Sequence, residues 1–162
     1  MRMYFTHVPS PVGDLLLAGD QESLRVLSFA GGAKARRPAP EWIEDSRPFH
    51  DAARQLDAYF RGELRDFQLP LTPQGTDFQQ RVWSDLRRIP YGETISYGEL
   101  ARRIGNPNAS RAVGLANGSN PIAIVIPCHR VIGSTGKLTG FGGGLDVKER
   151  LLALERPLPL IV

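Results

Sequence analysis

The hydrophobic pattern of this chain changes period at one place, and that change limits the fold more than any other feature. Leu69-Pro70-Leu71-Thr72-Pro73-Gln74-Gly75 contains two prolines and a glycine, so neither a helix nor a central strand runs through it. Before it, apolar runs at Met3 to Val8, Asp14 to Ala18 and Leu24 to Phe29 are separated by Ser10-Pro11-Val12-Gly13 and Gly19-Asp20. This alternation predicts a three-stranded antiparallel meander. Phe49, Ala52, Ala53, Leu56, Tyr59 and Phe60 then recur three and four apart, which predicts a helix that lays one stripe on the sheet and ends at Gly62. Residues 31–40 hold Lys34, Arg36, Arg37 and two prolines without periodicity, and are expected to form a solvated loop. The break divides the chain into residues 1–72, a supporting unit, and residues 73–162, which are patterned for helices.

In the second part, Thr76/Gln79, Ser96/Glu99 and Asp146/Glu149 have the spacing of capping boxes. They predict helices over 77–88, over 97–104 and onward from 146. Gly105-Asn106-Pro107 breaks the chain, and Asn108 can cap a further helix over 109–117. Two short helices around a glycine-containing break give a helix-turn-helix outline. The second of them opens with small and polar residues, Ala109, Ser110 and Ala112, around Arg111. Residues 1–70 carry 9 Lys+Arg against 10 Asp+Glu, and residues 71–162 carry 11 against 7. That basic surplus permits nucleic-acid binding, although an ordinary helical hairpin shares the outline.

With 41% hydrophobic and 23% charged residues the composition is globular and excludes disorder. The uncharged run from Pro121 to Cys128 is far shorter than the about 20 residues of a spanning helix. The first residues lack a secretory leader's apolar stretch, so a cytoplasmic location is expected. One cysteine cannot form an internal disulfide, and with only His7, His50 and His129 beside it no four-ligand zinc cluster is expected.

That cysteine carries the chemistry. Ile122-Ala123-Ile124-Val125-Ile126 is a β-branched run that reads as a buried strand and delivers Pro127-Cys128-His129-Arg130 at its end. His129 can accept the thiol proton directly or through a water, and Arg130 would favour the thiolate. Neighbours on a strand point to opposite faces, so a direct Cys128–His129 bond needs a bend at Pro127, or else a water between them. The carboxylate that orients the imidazole is one of Asp146, Glu149 and Glu155 on the last helix.

Ile126-Pro127-Cys128-His129-Arg130-Val131-Ile132 resembles the active-site signature of the O6-alkylguanine-DNA alkyltransferases, the methylated-DNA:protein-cysteine methyltransferases. The resemblance extends from Phe78 to Glu155 through Tyr91-Gly92-Glu93-Thr94-Ile95-Ser96-Tyr97, Arg111-Ala112-Val113-Gly114, Asn120-Pro121 and Gly143-Gly144-Leu145. It implies an α+β chain, with a small ribonuclease-H-like α/β domain followed by a winged helix-turn-helix domain. It implies a single, irreversible transfer of an alkyl group from O6-alkylguanine to Cys128, and leaves open whether O4-alkylthymine is also a substrate. His129 would be the water-linked base, Glu155 the carboxylate that holds it, and Asn120 the brace of the active-site turn. Tyr97 would press on the target phosphate and donate a proton to the leaving base.

The resemblance also places Arg111 as a finger that fills the gap left by an extruded nucleotide. Ala109, Ser110, Ala112 and Ala116 would then give a slim helix for the minor groove, and Arg130 would lie near DNA. Main-chain groups of Cys128, Val131 and Gly142 would touch the guanine edge, with Phe141 as a pocket wall where relatives often have tyrosine. Lys148 matches a family lysine whose role is left open. The implied partner is duplex DNA carrying the lesion, bound by a monomer without cofactor or metal, with cooperative loading along DNA as an option. Two other readings compete: a non-catalytic lesion sensor or regulator using the same helix-turn-helix, and a cysteine hydrolase.

Overall fold

The structure is a computed structural model, which describes residues 1–32, 35–138 and 141–156. Lys34 of the expected loop and the tail 157–162 lie outside these.

The expected meander forms. Strands β1 (Tyr4–Val8), β2 (Leu15–Gly19) and β3 (Leu24–Phe29) pair antiparallel. A two-residue strand β4 (Ile43–Glu44), too short to leave a pattern in the sequence, adds in parallel to β1, so the order is β3-β2-β1-β4. Both faces of β2 are buried: Leu15 and Leu17 belong to the main core, while Leu16 and Ala18 lie with Val26 under Met3, Phe5 and Trp42. Helix α1 (His50–Phe60) buries Ala52, Leu56 and Tyr59 in that main core, as its stripe predicts.

The break at 69–75 is not a free linker. Gln55 of α1 clamps it through Gln68, whose amide donates to Gln55 Oε1 at 2.8 Å while Nε2 returns a bond to the Gln68 carbonyl at 3.0 Å. Leu71 then pairs with the free edge of β3, where the Leu24 amide donates to Pro70 at 2.9 Å and Thr72 donates to Leu24 at 2.9 Å.

Helix α2 (Asp77–Leu86) opens with the full Thr76/Gln79 capping box. Helix α3 (Tyr97–Arg103) uses Ser96, which accepts from the Glu99 amide at 3.0 Å. Gly105, at φ 81°, ends α3: its amide reaches the Arg102 carbonyl, and the Asn106 amide reaches Ala101, both at 3.0 Å. That left-handed step is cheap only for glycine, and it turns the chain into α4 (Ser110–Gly118). A parallel pair of β5 (Ile95–Ser96) and β6 (Val131–Ile132) sits beside the start of α3, and α5 (Leu145–Glu155) closes the fold.

Three local expectations are corrected. Asn108 does not cap α4, since Ala109 occupies that position without a side-chain bond. Asp146 does not cap α5, which begins at Leu145 after Gly144 at φ 95°. Residues 122–126 form no strand. They fold into a tight turn that touches β3 through one bridge, Leu27 to Ile122.

Trp83 locks α2 to α4 by donating its indole N–H to the Ala116 carbonyl at 2.8 Å. Its ring lies against Gly75, where a Cβ would fall well inside van der Waals contact. Gly75→Ala is therefore expected to cost about 1–3 kcal/mol by forcing a buried ring to move. Urea unfolding measures it, and an unchanged midpoint would contradict this packing.

Candidate active site

Cys128 is positioned by a turn built from its own neighbours. The Val125 amide reaches Ala123 at 2.8 Å, Ile126 reaches Ile122 at 3.0 Å, and Cys128 reaches Ile126 at 2.8 Å around Pro127 (φ −81°, ψ 65°). The last of these is an inverse γ-turn, a bend at Pro127, although His129 Nδ1 makes no hydrogen bond to the thiol. Ile124 at φ 70° pays for this course with a left-handed conformation that a β-branched residue rarely adopts. Asn120 braces the turn at both ends, accepting from the Ile122 amide at 3.0 Å and donating to the Ile126 carbonyl at 2.7 Å. β3 holds it from outside: Leu27 donates to Pro121 at 2.9 Å and accepts from Ala123 at 3.0 Å. The amino-terminal sheet thus supports the nucleophile's turn through its backbone.

Cys128 is a free thiol, 6% exposed, in the wall of a cavity of about 280 Å³. Leu27 and Phe29 of β3, Asn117 and Asn120 beside it, and Phe141 with Gly142 line the same space, and Arg36 reaches its rim. Phe141 packs on Phe29 with ring centroids 5.4 Å apart, so the pocket wall combines both halves of the chain. Burial pushes the Cys128 thiol pKa up, outweighing a hydrogen bond from Asn120 and the nearby charge of Lys148. The resting nucleophile is therefore the thiol, and it needs a base.

His129 supplies one. Its Nε2 lies 2.7 Å from Glu155 Oε2. Burial pushes the Glu155 carboxyl up, but hydrogen bonds from His129 and Arg130 prevail and hold it down at about 2. An ionised carboxylate can only accept, so Nε2 carries the proton and Nδ1 presents its lone pair. That Nδ1 is buried and meets no protein partner among the described residues. Burial also lowers the His129 pKa despite Glu155, which keeps the imidazole neutral and able to accept a proton. Of the three candidate carboxylates the fold selects Glu155.

Two assignments are corrected. The Arg130 side chain, expected near DNA, is turned into the core: it is 6% exposed, with Nε 2.7 Å from Glu155 Oε1, Nη2 3.1 Å from Oε2, and Nη1 2.7 Å from the Ile89 carbonyl beyond α2. The charge beside the thiol is Lys148, fully buried, with Nζ 2.7 Å from the Val131 carbonyl. Ala116 also faces inward, its carbonyl taken by Trp83.

The outer face of α4 instead carries Arg111, Ala112 and Leu115, the last 73% exposed, with Ala109 and Ser110 half-buried at its start. Tyr97 is half-buried with its ring over Gly114, outside the cavity lining. Periodicity alone would have shown Leu115 to share the Arg111 face, one turn on. Tyr59 is a residue that no motif marks: its hydroxyl lies 2.5 Å from Glu155 Oε2.

These shifts fix how stability varies with acid. The Glu155 pKa is depressed from 4.5 to about 2, so its contribution is full above 4.5 and is lost as pH falls toward 2. His129 is depressed below 6.5, so the unfolded state also takes up more protons there, and both trends weaken the fold in acid. Glu155→Gln should flatten the carboxylate part of this dependence. At neutral pH it should cost about 3–5 kcal/mol, by leaving Arg130 buried without a counter-charge. Urea midpoints across acid pH test this, and equal pH profiles for the two proteins would contradict it.

Comparisons with known proteins agree with this geometry. Residues 3–73 match the family described as 6-O-methylguanine DNA methyltransferase, ribonuclease-like domain, and residues 77–157 match its DNA binding domain. The methylated-DNA–protein-cysteine methyltransferase of Methanosarcina acetivorans is 57% identical over 153 residues, covering 94% of this chain and 98% of that protein. That of Mycolicibacterium paratuberculosis is 57% identical over 150 residues, covering 92% and 90%. The crystal structure of Mycobacterium tuberculosis OGT in complex with DNA superposes with a TM-score of 0.89 at 53% identity, covering 94% of this chain and 92% of that one. With both halves matched in order around a buried Cys128–His129–Glu155 arrangement, the chain belongs to the methylated-DNA–protein-cysteine methyltransferase family.

Proposed function

We propose that the protein repairs DNA by transferring the alkyl group of an O6-alkylguanine to Cys128 in one irreversible turnover. The observation that carries this reading is a lone thiol in the wall of a cavity, next to an imidazole whose only protein hydrogen bond among the described residues is to the Glu155 carboxylate. The thiol proton passes through a water to His129 Nδ1, and the resulting imidazolium is stabilised by Glu155. The sulfur attacks the alkyl carbon, the carbon–O6 bond breaks, and its electron pair leaves with the guanine. The base then takes a proton, for which the Tyr97 hydroxyl is the donor in this reading. The product is a thioether, which offers water no carbonyl to attack, so Cys128 is consumed. The balance requires no metal or organic cofactor.

An O6-alkyl group lies inside the base stack, so the nucleotide has to be turned out into the cavity. Arg111 is the group we assign to the vacated space, with Ala112 and Leu115 as the apolar surface that follows it into the minor groove. Main-chain groups of Cys128, Val131 and Gly142 are assigned to the guanine edge. Phosphate contacts from the basic carboxyl-terminal part make binding strongly salt-dependent.

No helix among the described residues is long and apolar enough to cross a membrane. A cytoplasmic protein acting as a monomer, in a compartment that keeps Cys128 reduced, fits this chemistry. O4-alkylthymine, which carries its alkyl oxygen in the equivalent place, is the second substrate we assign.

DNA carrying labelled O6-methylguanine tests the reading. The protein should take up label to one equivalent and stop, and Cys128→Ala should take up none while still binding DNA. Uptake beyond one equivalent would overturn single turnover and favour a hydrolase. Binding without any uptake by the unaltered protein would favour a lesion sensor.

A further inference from the structure

We propose that Tyr59, on the amino-terminal helix, is a positioning residue of the transfer site: its hydroxyl shares Glu155 Oε2 with His129 and so sets how strong a base His129 is. The inference rests on the reading of Cys128 as nucleophile and His129 as base.

Three donors converge on one oxygen. Glu155 Oε2 lies 2.5 Å from the Tyr59 hydroxyl, 2.7 Å from His129 Nε2 and 3.1 Å from Arg130 Nη2, while Oε1 takes Arg130 Nε at 2.7 Å. A carboxylate oxygen has two lone pairs, so a third donor weakens the other two. Burial and the charge of Glu155 push the Tyr59 pKa up, so its hydroxyl stays protonated and acts as a donor throughout.

The phenol is held in place. Tyr59 is fully buried, and its ring packs on Phe60, Phe67 and Tyr91 at centroid distances of 5.2, 5.4 and 6.3 Å. The other groups around this centre carry charge or lie off the carboxylate. His129 faces Glu155 and Lys148 from α5 and Arg130 from its own turn. Tyr59 faces Glu155, Arg130 and Tyr91. Tyr91 lies under the guanidinium groups of Arg65 and Arg130, at 5.2 and 5.7 Å. Apart from His129 itself, Tyr59 is thus the uncharged donor on Oε2 among the described residues, and removing its hydroxyl changes no charge.

The consequence has a sign. When the thiol proton reaches Nδ1, the imidazolium is stabilised by Oε2 through Nε2–H. Without the Tyr59 hydroxyl, more of that oxygen's electron density goes to His129, and its pKa rises. Tyr59 therefore keeps His129 neutral to lower pH. It is also the point at which the amino-terminal domain acts on the proton relay.

The test compares single-turnover methyl transfer across pH for the unaltered protein, Tyr59→Phe and Leu56→Val. The last weakens the same helix without touching the carboxylate. For Tyr59→Phe the acidic limb of the rate should move up by about one pH unit, about tenfold slower below the limb and not slower on the plateau. Leu56→Val should leave the limb in place. NMR titration of the His129 ring should show the same upward shift in Tyr59→Phe without DNA. Should that variant not fold, 3-fluorotyrosine at position 59 keeps the shape and donates more strongly, and the limb should then move down. A uniform loss of rate with the limb unmoved, or no change in the His129 titration, would overturn the proposal. If the unaltered protein transfers no methyl group, the functional reading fails, while the His129 titration still decides the coupling.

Discussion

The buried carboxylate of Glu155 is the interaction on which the rest of the site depends. A charge taken out of water is costly unless several donors replace its hydration. Here Tyr59, His129 and Arg130 do so, with four hydrogen bonds among them. Those donors come from α1 and from the short turn that starts at Cys128, and Arg130 extends the link to the end of α2 through Ile89. The charge that tunes the base therefore also ties the amino-terminal helix to the nucleophile's turn. Loss of any one donor leaves the others holding a less satisfied charge in a dry interior.

The two halves of the chain make one site. β3 pairs with the break at Leu71 and with the active-site turn at Ile122, so its free edge fixes where the carboxyl-terminal part begins and where its sulfur lies. Phe29 adds a side chain to the cavity wall, against Phe141. Burial that makes this pocket apolar also keeps the thiol protonated. A nucleophile held in this way reacts only when its base is in place, which suits a cysteine that can be used once.

Much of this was legible in the sequence, for reasons that can be named. Helices α2 and α3 start where Thr76 and Ser96 fit their caps, because capping is a local event that needs no tertiary information. The run 122–126 misled because a β-branched stretch has the same composition whether it pairs as a strand or is pinned as a turn. What decides it is Asn120, bonded to both ends, together with Ile124 in a conformation its type disfavours. Arg130 misled because a charge beside a catalytic motif suggests solvent or ligand, whereas this one turns inward to a carboxylate 25 residues away. Tyr59 was read correctly as core, but periodicity says which face is buried and not what a hydroxyl on that face meets. Spacing alone left Glu155 among three candidates; the resemblance named it, and the packing of α5 places it on His129.

The central claim is that burial holds Cys128 as a thiol and that His129, oriented by Glu155, removes its proton only during transfer. Because Cys128 is the chain's one cysteine, the ultraviolet absorbance of its thiolate can be followed against pH in the resting protein without interference from another thiol. The account predicts a titration above the ordinary range of a cysteine. A thiolate already present at neutral pH would contradict it.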